Sequence, residues 1–172
     1  MSTHDDQSLF ELRFRPTVAL ASTVRRFVAE FYRELLSDAD VSHRLAMATH
    51  EMLENAVHYS IDQRSELVIS ARRVEGELVV AIRTKNRATT ERLEKVRLHL
   101  DEVLGASDAS AMYTRLMHRA AKRTDGGSGL GLGRIRAEAD LALSYAIDGD
   151  TIAVTAEGHF PRAEGALLTG AP

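Results

Sequence analysis

The chain has 172 residues, with 22 Lys and Arg against 25 Asp and Glu and a net charge of −3. That length suits about one domain with an ordinary core, and that charge leaves no basic surplus to hold a nucleic acid. There is no Cys, the opening MSTHDDQS lacks a basic segment followed by an apolar one, and no apolar run approaches the roughly twenty residues of a membrane span. A cytoplasmic protein with neither membrane nor nucleic-acid partners is expected.

In chain order, Phe10, Leu12 and Phe14 alternate with Glu11, Arg13 and Arg15, the period of a half-buried strand that Pro16 ends. From Val18 the apolar positions Val24, Phe27, Val28, Phe31 and Leu35 recur at three and four, predicting a helix to about Leu36. SDAD is a loop from which Asp40 is placed to cap a second helix, with Val41, Leu45, Ala48, Met52 and Ala56 as its buried stripe. Glu51 and Asn55 lie one turn apart on an adjacent face of that helix. Two alternating strands, Glu66 to Arg73 and Glu77 to Thr84, form a hairpin across Glu75-Gly76.

Leu93, Val96, Leu100 and Val103 then predict a helix with Gly105 at its C′ position. A further helix from about Ala109 to Lys122 turns Met112, Leu116 and Ala120 inward and leaves Arg115, His118, Lys122 and Arg123 as a basic fringe. A glycine segment, Gly126 to Gly133, passes into a short helix around Ile135 to Ala139. Strands Leu141 to Ile147 and Thr151 to Ala156 follow, joined at Asp148-Gly149. No repeat or second domain is visible, so residues 1–160 read as one domain and residues 161–172 as a tail.

The glycine segment, TDGGSGLGLGRIRAE, is neither of two familiar phosphate loops. A dinucleotide GxGxxG needs Gly at Leu132 or at Arg134, and a P-loop needs a Gly-Lys pair that the chain lacks. What remains is GxGLGL opening a helix. There glycines permit close backbone approach to an anion, and the amides of the helix N-terminus carry partial positive charge. A Gly-rich linker is the plainer reading, but Leu130 and Leu132 between the glycines argue for a packed loop.

Glu51-x-x-x-Asn55-Ala56 resembles the N box, and Gly127-x-Gly129-Leu130-Gly131-Leu132 the G2 box, of the GHKL ATPase superfamily, which includes gyrase, histidine kinases and MutL. The order of elements is similar over nearly the whole chain. Its length, and the short stretch before Glu51, point within that superfamily to the anti-sigma factor kinases and the related SiaB-type partner-switching kinases. Tyr113 and Arg115 ahead of GGSGLGLGRIRAEAD favour the SiaB-type branch.

The resemblance implies an α+β fold, a two-layer α/β sandwich with a mixed sheet covered by helices on one face, of the Bergerat type. It implies ATP and Mg²⁺ as cofactors, Asn55 as the Mg²⁺ ligand through the nucleotide phosphates, and Glu51 as general base. The cofactor site would comprise Asn55, Thr84, Asn86, Gly127, Gly129, Leu130, Gly131 and Leu132. The activity implied is phosphorylation of Ser or Thr on a small cytoplasmic regulatory protein; a homodimer is left open.

The helix spacing suits this chemistry. Residues four apart rise about 6 Å on one face, so a carboxylate and an amide can address one phosphate–Mg²⁺ cluster, and Mg²⁺ prefers oxygen ligands. The bland alternative is a solvated helix face.

One departure bears on the cofactors. Where the superfamily has Asp-x-Gly-x-Gly after a strand, this chain reads Thr84-Lys85-Asn86-Arg87-Ala88. The adenine-binding Asp is absent, and Thr84 or Asn86 is left to read the base. A degenerate site is the other outcome, which gives a second functional reading: a nucleotide-independent scaffold that sequesters a partner. Finally, His50-Glu51 begins an HExxH, but Glu54 stands where the second His belongs. His50 and His58 lie about 12 Å apart along a helix, too far to share a zinc.

Overall fold

The computed structural model describes residues 7–15, 17–36, 38–62, 64–122 and 129–161. Ten elements follow in order: β1 (Gln7–Phe14), α1 (Val18–Leu35), α2 (Ala39–Tyr59), β2 (Ser65–Val74), β3 (Glu77–Arg87), α3 (Thr90–Gly105), α4 (Ala109–Ala120), α5 (Gly131–Glu138), β4 (Ala142–Asp148) and β5 (Thr151–Phe160).

The strands form one sheet in the order β1-β2-β3-β5-β4, and each neighbouring pair is antiparallel. The two-layer α/β sandwich is therefore observed, but its sheet is antiparallel where a mixed one was expected. The connection between the first two strands explains why. Two helices rather than one separate β1 from β2, so the chain re-enters the sheet from the end at which it left and runs back along its neighbour.

Period-two burial sets which face is covered. Leu67, Ile69 and Ala71 of β2, Val80 and Ile82 of β3 and Ala156 of β5 are all buried, and they meet the apolar stripes of the helices. The α1–α2 seam carries a buried polar pair as well: Tyr32 and Thr49 share a hydroxyl hydrogen bond at 3.1 Å, and Thr49 also donates to Leu45 O. Burial pushes the Tyr32 phenol well above its ordinary range, so this contact stays between neutral groups.

Four local expectations are corrected. The cap of α2 is Asp38 rather than Asp40, its Oδ1 accepting from the amides of Asp40 and Val41 at 2.9 and 3.0 Å. Gly105 is the last helical residue of α3, not a left-handed C′ glycine. The free carbonyls there are met instead by the Arg136 guanidinium of α5, which donates to Val103 O and Ala106 O. The last hairpin turns at Gly149-Asp150, with Asp148 still in β4 and Gly149 at φ 57°. The first hairpin turns where expected, Glu75 and Gly76 both taking positive φ, at 52° and 90°. In the fourth correction, β3 runs three residues further than alternation suggested, to Arg87. Thr84 and Asn86 therefore sit inside a strand, opposite Val154 and Ile152 of β5, and not in a loop after it. Most of the expected tail, residues 162–172, lies outside the described residues.

Candidate functional site

Helix α2 delivers Glu51 and Asn55 toward α5, which begins inside the glycine segment at Gly131. Gly129 has φ 61°, a left-handed conformation that favours glycine, and no side chain caps the first turn of α5. Leu130 is half-buried and Leu132 is buried. Gly127 lies outside the described residues.

Helices α2 and α5 and strand β3 bring four expected site residues together. Asn55, Thr84, Asn86 and Leu132 line one cavity with Val96 and Ile152. Its volume is about 20 Å³, which is close to the room one water requires. The Asn55 amide Nδ2 is buried at this place without a hydrogen-bond partner among the described residues. Thr84 and Asn86 are also buried, and Asn86 makes one long bond, from Nδ2 to Arg87 O at 3.4 Å. The departure at residues 84–88 thus places two neutral polar side chains in a largely apolar wall.

Glu51 is not among these residues. Its side chain is 15% exposed, and Oε1 accepts from Arg134 Nη1 at 3.1 Å. Arg134 in turn holds Glu138 at 2.7 Å, and the two carboxylates keep the guanidinium charged. Tyr113 of α4 completes the cluster. Burial raises its phenol above the ordinary value, and the charges of Glu138 and Glu51 add to that shift. Three helices therefore meet at one carboxylate–guanidinium network.

The glycines make this approach possible. A Cβ on Gly131 would lie 2.7 Å from Glu51 Oε2, and one on Gly133 would lie 2.6 Å from Leu116 Cδ1 of α4. A Cβ on Gly131 would thus displace the Glu51 carboxylate, so this glycine serves the packing of α5 on α2 as well as any phosphate.

His99 of α3, which the sequence reading passed over, lies near the Gly129 backbone of the same glycine segment, and its Nε2 is buried without a partner among the described residues. Burial holds its imidazole below the usual value, and the Arg119 charge pushes the same way against Glu102. Arg134 was missed too. Its i,i+4 spacing to Glu138 is visible in sequence, but its pairing with Glu51 spans 83 positions and has no local signature. His50 lies 3.2 Å from Glu54 and His58 packs edge-on against Tyr59, and among the described residues no three metal-ligating side chains converge.

No protein-family model matches this sequence, and no curated protein matches it. Among solved structures, the two-layer sandwich is similar to a chain of "The crystal structure of SiaB-SiaC complex from Pseudomonas aeruginosa". The TM-score is 0.60 at 14% identity, over 88% of this chain and 89% of that one. At that identity the likeness establishes the fold. No helix among the described residues is long and apolar enough to cross a membrane.

Proposed function

We propose that this chain is a partner-switching regulator that binds ATP with Mg²⁺ and phosphorylates Ser or Thr on a small partner protein. The observation that carries the reading is the convergence of Asn55, Thr84, Asn86 and Leu132 on one cavity, with the Asn55 amide unsatisfied inside it. Likeness to a chain from a two-protein complex supports a protein partner.

The donor set fits a nucleotide in chemistry. Asn55 would offer oxygen to Mg²⁺, Thr84 and Asn86 would face the base, and the uncapped first turn of α5 with Gly129 would offer amides to phosphate. It does not fit in volume, since ligand pockets run to about 300 Å³ or more and this cavity is about 20 Å³. Binding therefore requires the walls around Asn55 to open. ATP, when bound, supplies the phosphoryl group. Glu51, released from Arg134, would accept the proton of the partner's hydroxyl.

Two observations favour the second reading, a nucleotide-independent scaffold: the ion pair that occupies Glu51 and the small cavity. Radiolabel transfer from ATP to candidate partner proteins, run beside a pull-down, separates the two. In the kinase reading Glu51→Gln keeps ATP binding and lowers transfer by roughly 10² to 10⁴. Partner capture with no transfer by the wild type would establish the scaffold.

A further inference from the structure

Beside that cavity, and sharing Asn86 with it, an open groove of about 630 Å³ lies at the end of the sheet where β1 and β3 finish and β2 and β5 begin. Five cationic side chains line it, Arg13, Arg15, Arg64, Lys85 and Arg87, against two anionic ones, Asp62 and Glu66, an excess of three positive charges. That excess stands against the net charge of the whole chain, −3.

Its cations fall into two groups. Arg87 is neutralised by Asp150, with Nε to Oδ2 at 2.8 Å, and by Asp62 at 3.4 Å, while Arg13 is held by Glu11 at 2.9 Å and Glu66 at 3.4 Å. Arg15, Arg64 and Lys85 are exposed, and their side chains have no ion-pair or hydrogen-bond partner among the described residues. Three unpaired, exposed cations lining one groove can receive an acceptor-rich anion.

We propose that this groove docks an acidic segment of a partner protein, whose carboxylates seat on Arg15, Arg64 and Lys85. The proposal rests on the partner-binding part of the function above and is independent of nucleotide. A small ligand is disfavoured because small-molecule sites enclose most of their ligand in apolar walls, whereas this trough is open and charged. A nucleic acid is disfavoured because Asp62 and Glu66 would face its continuous phosphates, and the single aromatic lining residue, Phe14, is half-buried and packed on the core. An acidic protein segment can place its charges between those two carboxylates.

The test uses a fluorescein-labelled peptide of five Glu-Ser repeats, followed by anisotropy with the full chain at about 50 mM salt, where charge interactions are weakly screened. The wild type is expected to bind, and about 300 mM salt is expected to weaken it. Arg15→Glu with Arg64→Glu should reduce affinity at least about tenfold. The same charge change on α1, Arg25→Glu with Arg26→Glu, should alter it less than about threefold. No peptide binding by the wild type, equal losses in both double variants, or tighter binding of an oligothymidylate of equal charge would each overturn the proposal. The thermal shift with ATP and Mg²⁺, measured on the same variants, reads the nucleotide site separately. A wild type that shifts with ATP but ignores the peptide loses only the groove.

Discussion

Neutralising Glu51 tests whether the residue stands in solvent or in the ion pair, since only the paired placement predicts a loss of stability. With Glu51 15% exposed and Arg134 41% exposed, the pair lies between two known limits. Surface pairs contribute about 0–1 kcal/mol, and breaking a fully buried pair costs about 3–5 kcal/mol. Discounted for the solvent that reaches Arg134, Glu51→Gln should cost about 1–2 kcal/mol. At about 2–4 °C per kcal/mol for a chain of this size, that lowers Tm by about 2–8 °C. A double-mutant cycle with Arg134→Met isolates the pair from the Arg134–Glu138 contact, and a coupling of about 1 kcal/mol is expected from denaturant midpoints. Additivity within about 0.3 kcal/mol, or a Glu51→Gln variant as stable as the wild type, would refute the pairing and return Glu51 to a solvated helix face.

Alanine in a helix normally stabilises relative to glycine by about 0.8–1.0 kcal/mol, yet Gly131→Ala should destabilise by about 1–2 kcal/mol. The new Cβ meets Glu51 Oε2 at 2.7 Å and Glu51 Cβ at 3.3 Å, and calorimetry would read the sign. Asn55→Leu removes an unsatisfied buried donor, so it should raise Tm or leave it unchanged while abolishing any shift with ATP; a large loss of stability would show that Asn55 has a structural partner. Because burial holds His99 below its usual value of 6.5, the unfolded chain binds this proton more readily. The contribution is therefore complete above about pH 6.5 and is lost as pH falls through the folded value. Denaturant titrations between pH 7.5 and 5.5 should show wild-type stability falling on acidification, and His99→Gln should flatten that fall.

Where local physics decides an element, the sequence was sufficient. The period of α1, the stripe of α2 and the positive-φ turn at Glu75-Gly76 depend on neighbours within four positions, and all three appear as read. The site was partly legible for the same reason, since the i,i+4 spacing of Glu51 and Asn55 is local. What each residue meets is not. Asn55 reaches a cavity wall made by β3 and α5, Glu51 reaches Arg134 across 83 positions, and the α3 end is capped by Arg136 from α5 in place of a glycine turn. The extension of β3 through Thr84 to Arg87 was also hidden. Lys85 and Arg87 on the open face alternate with Thr84 and Asn86 inside, a polar-on-polar pattern that carries no hydrophobic period, and pairing with β5 fixes it as strand.

The most direct test of a nucleotide-binding regulator is the melting temperature of the wild type with and without millimolar ATP and Mg²⁺. Nucleotide at one hundred times its Kd should add about 2.7 kcal/mol, which raises Tm by about 5–10 °C. The rise should vanish in Asn55→Leu, whose own melting temperature is expected to be unchanged or raised. A wild-type Tm that does not move at any nucleotide concentration would contradict the account and leave the chain as a scaffold.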